Sequence, residues 1–156
     1  MTVTAWRITK QKHAKTAFSG EGARLYGGRW NSPGTVIIYT AQSQSLAALE
    51  MLAHLGSTEL LGKFVFIEVE IHESLITNVD ISQLPRNWRA DPAPAKLKTL
   101  GDAWVAASTS VVLRVPSALV PGEKNYLLNP RHQDFPKLHI GKPFLFRLDP
   151  RLVENS

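Results

Sequence analysis

The chain of 156 residues contains no cysteine. That excludes a disulfide framework, a thiol nucleophile and a cysteine zinc site, and it suits a reducing cytoplasm. Long apolar runs are also missing. No stretch approaches the ~20 residues a membrane helix needs, and the opening MTVTAWRITK has no signal-peptide apolar core. The chain therefore reads as cytoplasmic, with no membrane partner. The usual glycine-rich nucleotide motifs are absent. GEGARLYGG (residues 20–28) is neither GxGxxG nor a P-loop, since it lacks the Lys-Ser/Thr pair and no helix is expected to follow it. His132, Asp134 and His139 fit no closed zinc spacing, so no metal is expected, and no Ser-His-Asp arrangement stands out. Acidic residues are scarce at one end. Residues 1–31 carry Arg7, Lys10, Lys12, Lys15, Arg24 and Arg29 against Glu21 alone, while the rest of the chain balances 12 basic against 12 acidic groups. The whole net charge of +5 thus belongs to the first segment. It implies an anionic partner: a phosphate-bearing small molecule, a nucleic acid or an acidic protein.

What is present is a 44% apolar chain, long enough for one domain over residues 1–156. Strands are expected at 3–9 (VTAWRIT), 36–39 (VIIY), 63–72 (KFVFIEVEIH), 110–115 (SVVLRV, ended by Pro116) and 144–148 (FLFRL). In 63–72, Val65, Ile67, Val69 and Ile71 share one face and Glu68 and Glu70 the other. A short element with a turn is expected over 125–130 (NYLLNP). Ser43 caps a helix running to about Leu55 and stopped by Gly56. A second helix follows Asp91-Pro92-Ala93-Pro94 and shows Leu97, Leu100, Trp104 and Ala107 at helical spacing. Strands outnumber helices without regular alternation, which predicts an α+β fold.

One loop and one carboxylate carry the chemistry. GEGARLYGGRWNSPG (residues 20–34) packs Arg24, Arg29, Tyr26, Trp30, Asn31 and five glycines around a turn. Gly27 and Gly28 allow close backbone approach to a ligand, and Arg29 follows them. Arg7 lies mid-strand between apolar residues, an unusual place for a guanidinium without a partner. Either arginine suits bidentate phosphate binding. Glu50, within SLAALEMLAHL, is the one formally charged side chain between Trp30 and Thr58. Its helical neighbours are Leu46, Ala47, Ala53 and His54. A carboxylate there must be partnered, be neutral or face a cavity, as a structural ion pair or as a site group. Arginines, aromatics and one buried carboxylate suit a ligand with phosphates, a flat ring and a sugar, which describes a nucleotide.

The stretch SGEGARLYGGRWNSPGTVIIYTAQSQSLAALEMLAHL, with the earlier WRIT and the later SVVLRVPSALVPGEKNYLLNP, resembles the RES domain, the toxin half of bacterial RES–Xre toxin–antitoxin operons. The resemblance runs from about Trp6 to Leu148. It implies a diphtheria-type ADP-ribosyltransferase fold: a small split β-sheet with helices around an NAD-binding cleft. It implies NAD+ as substrate rather than a cofactor, consumed by hydrolysis, by phosphate-dependent cleavage or by ADP-ribose transfer to a protein. Arg7, Arg29, Tyr39 and Glu50 match its active-site set. Glu50 would stabilise the ribosyl cation, Tyr39 would stack on or orient nicotinamide, Arg7 and Arg29 would hold the pyrophosphate, and Trp30 would pack behind Arg29. A later serine and asparagine join the set: Ser117 (in VPSA) and Asn129 (in LLNP), with Ser110 competing. The implied partner is a cognate Xre-type helix-turn-helix antitoxin. A homo-oligomer is left open, and no direct nucleic-acid binding is expected. Two rivals stay in view, a nucleic-acid-binding or RNA-cleaving module using the basic first segment and a non-catalytic partner-binding domain.

Overall fold

The computed structural model describes residues 1–56 and 58–152; Ser57 and residues 153–156, the end of the expected domain, lie outside the described residues. Its strands are β1 (Thr2–Lys10), β2 (Ile38–Ala41), β3 (Phe64–His72), β4 (Ile76–Asn78), β5 (Val112–Pro116), β6 (Lys124–Leu128), β7 (His139–Ile140) and β8 (Phe144–Phe146). Three α-helices accompany them: α1 (Glu21–Tyr26), α2 (Gln44–His54) and α3 (Ala95–Ala107). The eight strands run β4-β5-β6-β2-β1-β3-β7, with β8 also paired to β3. Among the described residues, β4 and β5 are the one parallel pair.

The sheet has a seam. β1 and β3 ladder over nine residue pairs, and β2 and β6 over four, but β1 meets β2 through the single pair Trp6↔Ala41. One half is β4-β5-β6-β2 and the other β1-β3 with β7 and β8. This is the split sheet expected of the fold.

Both longer helices cover one face. On β2 and β6, register pairs Tyr39 with Leu127 and Ala41 with Asn125, so these four side chains share a face. α3 sets Leu97 and Trp104 against Leu113, Val115 and Leu127, while α2 sets Leu46 and Ala47 against Ala41 and Phe66. The other face holds Ala5, Ile38, Val69, Ile71, Val112 and Leu128. Ser43 caps α2 as expected, its hydroxyl accepting from Leu46 N–H at 3.1 Å.

Several elements differ from expectation. VIIY begins its ladder two residues late, at Ile38, because Val36 and Ile37 are buried without strand partners. Ala107 is exposed, and Gly101 completes the buried stripe of α3. Within the glycine-rich segment, residues 21–26 form a helix, bounded by Gly20 and Gly27 at φ near +73° and +74°. The Arg24–Glu21 pair one turn apart braces it.

Gly101 lets α3 lie directly on the backbone of Trp30: a Cβ there would meet the Trp30 carbonyl oxygen at 1.7 Å. Gly22, by contrast, has nothing within 4 Å of such a Cβ. Gly101→Ala is expected to cost about 3 kcal/mol or more by overpacking against backbone. Gly22→Ala should be neutral or gain up to ~1 kcal/mol of helix propensity. Urea denaturation of both variants checks the contrast.

Candidate active site

The GGRWN loop is held by its own Asn31 and by side chains from β2 and α3. Asn31 is wholly buried, and its Nδ2 donates to the carbonyls of Ala23 (2.9 Å), Ser32 (3.1 Å) and Thr35 (3.1 Å). Its Oδ1 accepts from the Tyr39 hydroxyl at 2.6 Å, and that hydroxyl accepts from Trp30 N–H at 3.0 Å. Burial pushes the Tyr39 phenol above its ordinary range, so it stays protonated and keeps both bonds. α3 grips the loop from below: Lys98 Nζ donates to the Gly28 carbonyl, and Asp102 Oδ1 accepts from Ser32 N–H at 3.0 Å.

Two sequence expectations change here. The space a Gly28 side chain would need is filled by Tyr39, whose hydroxyl lies 2.7 Å from the ideal Cβ. Gly28 therefore makes room for a protein group. Trp30 is only 2% exposed and packs with Ile37, Leu97 and Trp104. It anchors the loop in the core, and any part it takes in ligand binding is indirect.

Arg29 emerges from this clamp. Its Nη1 donates to the carbonyls of Trp88 at 3.0 Å and Ala90 at 2.9 Å, in the segment that leads into α3. It forms no ion pair among the described residues. Arg7 alternates with Trp6 and Ile8, so it leaves β1 on the face away from α2. Its guanidinium lies at the seam, Nε donating to the Ala17 carbonyl at 3.0 Å and Nη1 to the Tyr39 carbonyl at 3.4 Å. Burial pushes it down to about 10, still charged at neutral pH, and it too has no carboxylate partner among the described residues. The basic first segment thus divides. Arg24 is spent on Glu21, and Lys12 and Lys15 are exposed on a 3₁₀ turn. Arg7 and Arg29 are the guanidiniums of that segment with no carboxylate partner among the described residues.

Glu50 projects from α2 toward the face shared by Tyr39, Ala41 and Asn125. Its carboxyl is pushed up to about 7, first by burial and then by nearby Glu123; the Asn125 hydrogen bond and Arg29 pull the other way. Asn125 Nδ2 donates to Glu50 Oε1 at 2.8 Å. No arginine forms a salt bridge with Glu50 among the described residues, so it is not the buried ion pair that its isolation in sequence left open.

The later candidates separate. Ser117 follows β5, its N–H donating to the Glu123 carbonyl at 2.8 Å, and its hydroxyl accepts from Leu119 and Val120 N–H, both at 3.1 Å, shaping the turn that carries Glu123. Asn129 lies past the far end of β6, about four residues or 13 Å along the strand from Asn125, its Oδ1 accepting from Arg131 N–H. Ser110 accepts from Trp104 Nε1 and donates to the Val112 carbonyl. The structure brings Asn125, not Asn129, to Glu50. Sequence reasoning missed it, although it stands in the quoted VPGEKNYLLNP. Its signal is a lone amide among apolar strand residues. His132 has both ring nitrogens engaged, with the Ser108 carbonyl and with Asp134 N–H. One open depression of about 540 Å³ lies at Trp6, Gln44, Ser45 and Phe146. Its walls include none of Arg7, Arg29, Tyr39 or Glu50 and no titratable group.

Two outcomes follow from this geometry. Tyr39→Phe leaves Trp30 N–H and Asn31 Oδ1 without a partner in a buried loop, and should cost about 1–3 kcal/mol in urea unfolding. For Glu50, the folded state holds its proton to a higher pH than the unfolded chain. Its contribution is therefore intact below about pH 4.5 and is lost as pH rises toward about 7. Glu50→Gln should accordingly match wild type at pH 4 and exceed it at pH 8, by on the order of 1–3 kcal/mol. Equal stability differences at the two pH values would contradict the burial argument.

The RES domain family matches residues 4–149. "Toxin Res" of Yersinia enterocolitica is 43% identical over 148 residues, 94% of this chain and 97% of its own. "Toxin Res" of Photorhabdus laumondii is 43% identical over 150 residues, 96% of each. A "Prs ADP-ribosylating toxin" of Sphingobium sp. is 34% identical over an alignment of 161 residues that takes in the whole of both chains. A chain in the crystal structure of the M. tuberculosis MbcT–MbcA toxin–antitoxin complex superposes with a TM-score of 0.77, over 99% of this chain and 88% of that one, at 19% identity. That likeness shows the fold, a mixed α+β arrangement shared with that chain. With the family matched over nearly its whole length and relatives at this identity, the chain belongs to the RES domain family and is a toxin of that family.

Proposed function

We propose that this toxin consumes NAD+ by cleaving the bond between nicotinamide and ribose C1′. The observation that carries the reading is Glu50: a desolvated carboxylate on the face of the split sheet, with an unpaired arginine of the clamped loop close enough to act on it. Nicotinamide leaves as a neutral group and takes the bonding pair, so it needs little acid help. The ribose becomes oxocarbenium-like, and a carboxylate at low dielectric lowers the energy of that cation. Arg29 holds the pyrophosphate, and Arg7 at the seam is the second cation available to it. Tyr39 keeps the loop in place through its hydroxyl and so orients what the loop holds. Water as acceptor gives ADP-ribose and a proton; inorganic phosphate gives the 1″-phosphate ester.

A second reading, transfer of ADP-ribose to a protein side chain, is favoured by one observation. The relative named an ADP-ribosylating toxin aligns over the whole of both chains. Incubation of purified protein with NAD+, with and without phosphate and with a lysate, followed by mass spectrometry of products and proteins, separates the three acceptors. No described helix is long and apolar enough to cross a membrane. We place the action in the cytoplasm, restrained by a cognate Xre-type antitoxin that occludes the basic mouth of the cleft. That a chain of a solved toxin–antitoxin complex has this fold supports such a partner.

The kinetic expectations differ by residue. Glu50 must be ionised to stabilise the cation, so kcat should rise with pH through about 7 and level off above it. Glu50→Gln should keep the fold and lose roughly 10²–10³ in kcat, with KM nearly unchanged. The pyrophosphate hardly changes charge as the bond breaks, so Arg29→Ala should raise KM more than it lowers kcat. Arg29→Lys, which keeps the charge but not the planar fork, should fall between. Steady-state kinetics on both series in one buffer checks the split. An Arg29→Ala variant that lost kcat with KM intact would reverse the ligand end for end.

A further inference from the structure

Asn125 is the second residue of β6, in register with Ala41 at the end of β2. It is 9% exposed, and Nδ2 spends both hydrogens inside the protein, one on the Thr40 carbonyl at 3.2 Å and one on Glu50 Oε1 at 2.8 Å. The Thr40 carbonyl can only accept, so turning the amide over would set two oxygens against each other. Backbone thereby decides which end of Asn125 meets the carboxylate. The same anchor joins the two elements that flank the site, since Thr40 belongs to β2 and the chain runs from there directly into α2. Other groups act on the carboxylate from different directions: Arg29 from the loop and Glu123 from the turn before β6, with exposed His54 one turn further along α2. Arg29 is occupied with the Trp88 and Ala90 carbonyls, which leaves Asn125 as the hydrogen-bond donor that touches Glu50.

We propose that Asn125 is a positioning residue: its backbone-anchored amide aims the Glu50 carboxylate and holds it in the ionised form that bond cleavage needs. This rests on Glu50 being the carboxylate of NAD+ cleavage. Burial and Glu123 favour a proton on Glu50, and a fixed N–H donor opposes them. Aspartate cannot replace Asn125, because it brings a charge and no donor.

The test compares wild type with Asn125→Ala, Asn125→Ser and Asn125→Asp. NAD+ consumption is followed at saturating substrate from pH 5 to 9. In parallel, Glu50 is titrated directly by NMR in protein labelled at the glutamate side-chain carboxyl, with Glu50→Gln used to assign its signal. The acidic limb of kcat and the Glu50 titration should move together to higher pH in Asn125→Ala, by about one pH unit. At pH 6 that is roughly a tenfold loss of kcat, largely recovered by pH 9, with KM little changed. Asn125→Asp should move the limb further. Asn125→Ser, which keeps a small donor, should move it less, and it carries the test if the alanine variant does not fold. A uniform fall in activity at every pH, with the Glu50 titration where wild type has it, overturns the proposal and leaves Asn125 a structural residue. A Glu50→Gln variant that consumed NAD+ like wild type would overturn the parent reading along with this one. An inactive Glu50→Gln beside an unmoved titration in the Asn125 variants sinks this inference alone.

Discussion

The Tyr39 hydroxyl connects a strand to a loop that has no sheet partner of its own. It accepts from Trp30 N–H and donates to Asn31 Oδ1 at 2.6 Å, and burial keeps it protonated so that both bonds hold together. Much follows from that oxygen. Gly28 must lack a side chain because the hydroxyl stands 2.7 Å from where a Cβ would be. Asn31, with its oxygen engaged, has its amide hydrogens aimed at three carbonyls of the same turn. Trp30 then drops into the core against α3, where Gly101 has removed the obstacle. Arg29 is left between a glycine and a buried indole, with its backbone held on both sides. A flexible cation has become a fixed one, at the entropic expense of a loop already ordered for other reasons.

Glu50 is the opposite kind of investment. Burial works against its charge, and the apolar face of α2 would be more stable with a neutral side chain there. A structural salt bridge would explain the carboxylate, but none is present among the described residues. What Glu50 has instead is one amide donor, one nearby arginine and one nearby carboxylate. Such a balance leaves the group close to its own titration point at neutral pH. A purely structural role gives no reason for that balance, whereas a cation forming beside it does.

Much of this was legible in the sequence, and the failures have physical causes. Long strands announce themselves by alternation, as β3 does through Glu68 and Glu70, and α2 by Ser43 and its apolar run. Glu50 was legible because a charge in an apolar helix is conspicuous. α1 was not, since Gly20, Gly22 and Gly27 make a six-residue helix look like a loop. β4 and β7 are too short to carry a period. The Gly28–Tyr39 and Glu50–Asn125 contacts join residues 11 and 75 positions apart, and only the register of β2 against β6 shows that Asn125 and Tyr39 face the same way. Asn129 was singled out and Asn125 passed over for a reason of that kind: the two asparagines lie in one short segment, and the fold alone shows which of them meets Glu50.

The charges of the site are arranged by polarity as well as by position. Arg7 at the seam and Arg29 in the loop form no ion pair among the described residues, and the carboxylates come from α2 and the turn before β6. A ligand that is anionic along its length would meet attraction at one side and repulsion at the other. One that is anionic at its pyrophosphate and becomes cationic at a sugar carbon as it reacts is attracted at both, and the second attraction exists only once the bond has begun to break. That is the condition for a rate enhancement rather than mere tight binding. The same arrangement explains why Glu50 is held away from a direct salt bridge with Arg29. Paired, each would neutralise the other before the substrate arrived. With Glu50 on the Asn125 amide and Arg29 on the Trp88 and Ala90 carbonyls, neither neutralises the other in a direct pair, which is what the proposed reaction requires of them.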